Sequence, residues 1–240
     1  MALDLNPHWL LLPAVSAPMP FQMALDEALL RGEIPRPMLR FYFSSEPWMS
    51  VGYSFKGHCE QSEAISDHGL LRRPFGAPRN DGKTIPVCKR ITGGGKVLHG
   101  SDILFSLIAL KEHDESFGSV RISYWKIHEA VKIGLEALGQ APQFYRCDEN
   151  LPRGGDCFQF PIASDLGLAG KKIAGGAQKR SGKKLLHQES LQLHGAEPEL
   201  LMAAVKKGFE RVFSIHFQSE ELEPSLFQKA EESLCHYERA

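Results

Sequence analysis

The chain has 240 residues, of which 42% are hydrophobic and 24% charged, and its formal net charge is -1. That length and composition suit an ordinary soluble globular protein with a substantial core, and the charge balance makes no electrostatic case for nucleic acid or an anionic membrane as partner. The five cysteines, Cys59, Cys88, Cys147, Cys157 and Cys235, show no CxxC pair or other zinc spacing, and no run approaches the roughly 20 apolar residues of a membrane span, so free thiols in a reducing, cytoplasmic compartment are expected and no metal site is.

Residues 9–12 read as a first strand, followed by a proline-punctuated connection over 13–20. Over 21–31, Met23, Ala24, Leu25, Ala28 and Leu29 recur at near-helical spacing, with Asp26, Glu27 and Arg31 for the other side, which predicts a helix ended by Gly32. Residues 39–43 and 48–53 alternate and are expected to pair across the polar turn Ser44-Ser45-Glu46-Pro47. The stretch 72–84, rich in Arg, Pro and Gly, is too polar to fold alone and reads as a long loop: plain surface, a lid, or a docking surface. A strand over 85–91 leads into three consecutive glycines, and the nearly continuous apolar run 103–110 predicts a strand buried on both faces.

Residues 123–138 carry Ile127, Val131, Leu135 and Leu138 on one face of a predicted helix, with Gly139 as its C-cap. The segment 144–193 reads as several short strands broken by Gly-rich turns. Residues 197–213 are expected to be helical, with Leu200, Leu201, Ala204, Phe209 and Phe213 as the apolar members, and 224–237 to form a terminal helix. These elements add up to an α+β fold with a mainly antiparallel central sheet flanked by helices.

Two glycine-rich stretches carry the chemistry. In Arg90-Ile91-Thr92-Gly93-Gly94-Gly95-Lys96-Val97-Leu98-His99, the glycines permit either a tight turn or a backbone cradle whose amides face a ligand. A nucleotide P-loop is excluded, because Arg90 and Val97 stand where that signature needs Gly and Ser or Thr. Further on, Gly170 fits the turn of a hairpin between 166–168 and 172–174, so Lys171 and Lys172 face opposite sides of one strand. Lys172 is then either a rim lysine whose stem covers apolar surface or a cation aimed at something electron-rich. Cys157 is either a small buried hydrophobe or, if a cation lies close, a nucleophile.

Four blocks in this order resemble the lipoate-protein ligase and octanoyltransferase family of the biotin/lipoate ligase superfamily. They are residues 21–30; Leu39-Arg40-Phe41-Tyr42 with Val51-Gly52-Tyr53; the stretch from Arg90 to His99 with Ser106 downstream; and residues 170–178. The resemblance covers about 20 to about 215 and implies one catalytic domain across 1–240, with 72–84 as an insertion loop and a helical tail from about 218. It implies a tunnel for a medium-length acyl chain, lined by Arg90, Thr92, Gly93, Gly94, Gly95, His99, Gly175, Gly176 and Ala177, with Lys172 on the acyl carbonyl.

Two chemistries accompany this family. Ligases use ATP and Mg to make an acyl-adenylate. Transferases need no cofactor: a cysteine takes the acyl group from acyl carrier protein and passes it to a lysine of a lipoyl-domain or H-protein-like acceptor. Cys157, fifteen residues before Lys172 and followed by Phe158, resembles the nucleophile of the cysteine-containing octanoyltransferase branch. Ligases usually carry Asn-Asp where Ser164-Asp165 stands, and many need an accessory domain for which this chain is short. The expectation is therefore an octanoyl or lipoyl transferase acting through Cys157 and Lys172, with an ATP-dependent ligase as the alternative. One departure stands out: His187-Gln188-Glu189-Ser190 replaces the family's His-Gly-Ser or His-Gly-Thr, adding bulk and negative charge near the tunnel.

Overall fold

The computed structural model describes residues 7–54, 85–145, 162–193 and 195–237. The loop expected over 72–84 and the candidate nucleophile Cys157 lie outside the described residues. The strands are β1 (His8–Ala17), β2 (Met38–Ser44), β3 (Trp48–Val51), β4 (Val87–Lys89), β5 (Lys96–His99), β6 (Ile103–Leu110), β7 (Gln143–Phe144), β8 (Leu166–Leu168), β9 (Lys171–Ser181), β10 (Lys184–Leu191) and β11 (His216–Ser219). The helices longer than one turn are α1 (Met19–Arg31), α2 (Val120–Glu136), α3 (Pro198–Phe213) and α4 (Pro224–Ser233).

Among the described residues the strands form an eight-stranded sheet, ordered β11-β1-β2-β6-β10-β9-β8-β7, and a three-stranded sheet, ordered β4-β3-β5. β1 pairs in parallel with β2 and with β11, while β2, β6, β10, β9, β8 and β7 follow one another antiparallel. The large sheet is therefore mainly antiparallel, as expected. Its strands separate two apolar layers. Leu39, Phe41, Phe105, Leu107 and Leu185 pack with Ile127, Val131 and Leu135 of α2 and Val205 and Phe209 of α3. Met38, Tyr42, Leu104, Ile108 and Leu186 pack instead with Met23, Leu25 and Leu29 of α1. The apolar run of β6 thus feeds both layers, as its composition requires. Helices α2 and α3 approach closely because neither Gly134 nor Gly208 carries a Cβ: one added at Gly208 would lie 1.9 Å from the Ala130 carbonyl oxygen.

Several sequence expectations need correction. β1 runs on through Pro13 to Ala17, because its register against β2 shifts between Leu12 and Val15 and the proline sits in that irregularity, where no ladder hydrogen bond is required. β2 and β3 are not a hairpin: both edges of β2 are occupied by β1 and β6, so the chain crosses at Ser44-Ser45-Glu46-Pro47 into the small sheet. The segment before residue 193 contains two long strands, β9 and β10, rather than only short ones, since Gly175 and Gly176 lie inside β9 instead of at turns. Edge strand β11 was not foreseen, and Leu200, expected on the apolar face of α3, is 56% exposed.

One carboxylate joins the layers. Arg40, Ser106 and Gln188 form a transverse row across β2, β6 and β10, and all three donate to Asp26 of α1. Arg40 Nη2 and Nε reach Oδ1 at 2.5 and 3.1 Å, Ser106 Oγ reaches Oδ1 at 2.8 Å, and Gln188 Nε2 reaches Oδ2 at 2.7 Å. Arg40 also donates from Nη1 to Gln22 Oε1 at 2.6 Å and lies 4.2 Å from the centre of the Tyr42 ring. Both charged side chains are inaccessible to solvent.

Removing one member of such a pair leaves the other charge buried alone. Asp26→Leu is expected to cost about 3–5 kcal/mol in urea unfolding, and Asp26→Leu/Arg40→Met to be more stable than Asp26→Leu.

Candidate functional site

The triglycine loop connects β4 to β5 and is held from beneath. Arg90 Nη2 donates to the carbonyls of Gly93 and Gly95 at 2.9 and 3.0 Å, and its Nη1 donates to Ser50 Oγ at 2.7 Å. His99 Nε2 lies 2.6 Å from that hydroxyl, and His99 Nδ1 lies 2.7 Å from Asp102 Oδ2. Arg90 can only donate, so the Ser50 oxygen accepts from it while lying against His99. Burial pushes the Asp102 carboxyl up, but His99 beside it and hydrogen bonds from His99, Ser190 and Gly100 hold it below the usual range. Gly52 completes the support. A Cβ there would come 2.2 Å from the Gly94 carbonyl oxygen, so β3 touches the loop backbone to backbone.

Gly94 itself has φ +93°, in the region that favours glycine, and is exposed. The tight-turn reading therefore accounts for Gly94, whose conformation needs glycine. Arg90, Thr92 and His99, expected to line a substrate tunnel, lie together in that support, where Thr92 Oγ1 donates to Gln188 Oε1 at 2.7 Å.

The lysine strand stands on the other side of β10. Ala169 and Gly170, at φ +50° and +77°, make the tight turn between β8 and β9. Lys171 is exposed, whereas the Lys172 side chain is only 5% exposed and its Nζ lies 2.6 Å from Asp165 Oδ2. The alternation expected of the two lysines is present. Burial raises the Asp165 carboxyl, and the Lys172 charge offsets only part of that. Asp165 Oδ2 also accepts the Ile162 amide at 2.8 Å. A Cβ at Gly175 would fall 2.4 Å from Lys172 Cε, and one at Gly176 would fall 2.4 Å from Glu189 Oε2. The paired glycines of β9 thus clear space for two charged side chains. In the ladder Gly175 lies opposite Ser190, which donates to Asp102 Oδ2 at 2.7 Å, and Ala177 lies opposite Gln188. Strand β10 therefore couples the lysine strand to the glycine loop's support.

Glu189, the departure in the sequence pattern, points to α2. Its Oε2 lies 2.8 Å from both His128 Nε2 and His187 Nε2, and His128 Nδ1 meets the Ser164 carbonyl. Burial pushes the Glu189 carboxyl up, but the charge of His128 and hydrogen bonds from His128 and His187 outweigh it and bring it down to about 2. Burial pulls His128 down, but Glu189 prevails and its imidazole is raised. Burial lowers His187, and Glu189 compensates only in part.

His128, His187 and Glu189 offer donor atoms within 4.8 Å of one another, a spacing that suits a metal ion. Their proton pattern does not. Arg180 Nε donates to Gln178 Oε1 at 3.1 Å, so the other end of that amide, Nε2, faces His187 Nδ1 at 3.2 Å as a donor. The proton of neutral His187 is then on Nε2, toward Glu189, where a metal ligand needs a lone pair. Of the described cysteines, Cys235 is exposed, and Cys88 is buried, with burial pushing its thiol up to about 12 despite nearby Arg90.

A family profile described as the lipoyl protein ligase A/B catalytic domain matches residues 18–214. The chain belongs to that family. Among curated relatives of this lipoyl protein ligase A/B domain, octanoyltransferase LipM of Kyrpidia tusciae is 33% identical over 217 residues, spanning 85% of this chain and 72% of that protein. Octanoyltransferase LipM of Bacillus subtilis is 32% identical over 206 residues, spanning 80% and 68%. In fold the domain is similar to a crystal structure of lipoate-protein ligase A bound with ATP, at TM-score 0.73 and 20% identity over 95% of this chain and 94% of the other. It is also similar to a putative lipoate protein ligase from T. acidophilum with bound lipoic acid, at TM-score 0.72 and 20% identity over 94% and 93%.

Sequence reasoning missed Ser50, Asp102, His128 and the role of Asp165 in holding Lys172. His128 had a visible signal, since it lies beside Ile127 and one turn from Val131 on the helix face assigned to the core. A buried histidine there requires a polar partner.

The ionised pair leaves a pH signature. Glu189 adds stability that is full above its unfolded value of about 4.3 and is lost as pH falls toward its folded value; His128 adds stability that is full below about 6.5 and is lost as pH rises through its raised folded value. Urea unfolding from pH 2 to 9 should show wild type exceeding Glu189→Gln by its widest margin between about pH 4.3 and 6.5.

Proposed function

We propose that this protein is an octanoyltransferase that moves an octanoyl or lipoyl group from a carrier-protein thioester to a lysine of a lipoyl-type acceptor domain, through an acyl-enzyme on Cys157. The observation that carries the reading is the similarity to curated octanoyltransferases over most of the chain, joined to a buried Lys172 side chain held by Asp165.

In the first half-reaction the Cys157 thiolate attacks the thioester carbonyl, a new C–S bond forms, and the carrier thiol leaves with a proton. In the second, the neutral amine of the acceptor lysine attacks the acyl-enzyme, the amide forms, and Cys157 recovers its thiol. Thioester exchange is nearly isoenergetic and amide formation from a thioester is downhill, so neither half needs ATP or a metal. Both pass through an oxyanion, which calls for donors fixed in advance. Lys172 supplies N–H groups at a position set by Asp165, and the backbone of Gly93, Gly94, Gly95, Gly175, Gly176 and Ala177 forms the wall along which the acyl chain lies. Arg90, Thr92 and His99 serve that wall by holding the loop.

The alternative, an ATP- and Mg-dependent lipoate ligase, shares its fold with the ATP-bound ligase A neighbour, and at 20% identity that likeness bears on fold alone.

Incubation with octanoyl-carrier protein without ATP should give a mass increase of one octanoyl group that hydroxylamine removes and Cys157→Ala abolishes. Modification of a lipoyl domain only with ATP and free lipoate would establish the ligase instead. Gly175→Ala is expected to remain folded by circular dichroism, because its Cβ displaces a flexible lysine, and to lose at least about tenfold in kcat, as misplaced catalytic groups do.

A further inference from the structure

The acyl-transfer reading makes no use of the cluster behind Lys172. His128 is fixed on α2 by the helix's apolar face, His187 and Glu189 come from β10, and all three side chains are inaccessible to solvent. Both ring nitrogens of His128 face oxygen acceptors, the Ser164 carbonyl and Glu189 Oε2, so both N–H bonds are satisfied only in the imidazolium form. A single oxygen, Glu189 Oε2, accepts from both histidines while Oε1 is buried without a hydrogen-bond partner among the described residues. Only a carboxylate suits that place. A glutamine oxygen there would deprive the buried imidazolium of its counter-charge, and a glutamine nitrogen would meet the His187 N–H.

The ion pair ends on the backbone that carries Lys172's partner. Ser164, whose carbonyl His128 holds, directly precedes Asp165, and Asp165 holds Lys172 Nζ at 2.6 Å. Among the described residues, His128 faces two carboxylates, Glu189 and Asp165, and packs against His187 and the Tyr124 ring. Loss of its charge would remove a cation that favours ionised Asp165.

We propose that the buried Glu189–His128 ion pair is a positioning device for Lys172, acting through the Ser164–Asp165 backbone and through the charge that His128 presents to Asp165. The inference rests on Lys172 being the residue that contacts the acyl carbonyl. Glu189 and His128 are positioning residues. Neither touches substrate in this scheme.

The test uses the full chain and two readouts that need no turnover. The first is the ¹⁵N spectrum of the histidine rings at pH 6.5, the ordinary imidazole value: His128 should be mostly doubly protonated in wild type and mostly neutral in Glu189→Gln. The second is competitive acetylation by acetic anhydride, with exposed Lys171 as internal reference: the Lys172/Lys171 rate ratio should change at least threefold in Glu189→Gln and in the same direction in Asp165→Asn. Transfer kinetics should show a kcat loss of about tenfold with the KM for the acceptor domain unchanged. A neutral His128 in wild type overturns the proposal even if Glu189→Gln fails to fold. So does an unchanged labelling ratio in a folded Glu189→Gln. Coupled labelling in a wild-type protein that transfers no octanoyl group supports the positioning pair and overturns the transferase reading.

Discussion

The Asp26 carboxylate is the constraint on which the rest of this structure depends. Burying an ion pair costs several kcal/mol per charge unless its hydrogen-bonding capacity is filled. Here it is filled by groups from three neighbouring strands and from α1 itself: Arg40, Ser106 and Gln188 donate to Asp26, and Gln22 takes a further Arg40 N–H. Helix and sheet are thereby locked in one relative position. The lock extends outward, because the Gln188 amide that donates to Asp26 also accepts from Thr92 at the root of the glycine loop. A loop with three glycines has no side chains of its own to fix it, so its geometry is inherited from this buried network.

Strand β10 divides the labour between its two faces. Gln188 and Ser190 turn toward the glycine loop, meeting Thr92 and Asp102, whereas His187 and Glu189 turn toward α2. Period-two alternation makes this possible, since residues adjacent in sequence serve opposite sides of one sheet. The Glu189 charge, which looked as if it would intrude on an acyl tunnel, is taken up by histidines on the α2 face. Gly176, directly opposite in the ladder, gives it room.

Much of the fold was legible in the residues. The 3.6 period of α2 and α3 and the unbroken apolar run of β6 marked those elements, and four motif blocks in order marked the family. The β2–β3 hairpin was misread because alternation announces a strand without announcing its neighbour: β2 met β1 and β6, and β3 joined the small sheet. The region of β9 was read as short strands broken by Gly-rich turns, although Gly175 and Gly176 lie inside one long strand and make room for side chains.

By itself, then, the sequence determined the elements whose apolar periodicity is strong, the family, and that Lys171 and Lys172 face opposite sides of one strand. Only the tertiary structure decided that Asp165 holds that lysine, that Asp26 gathers Arg40, Ser106 and Gln188, and that Glu189 is neutralised by His128. The reason is physical. A buried charge is compensated by whatever lies within about 3 Å of it, and strand register, which no spacing along the chain encodes, brings those partners together.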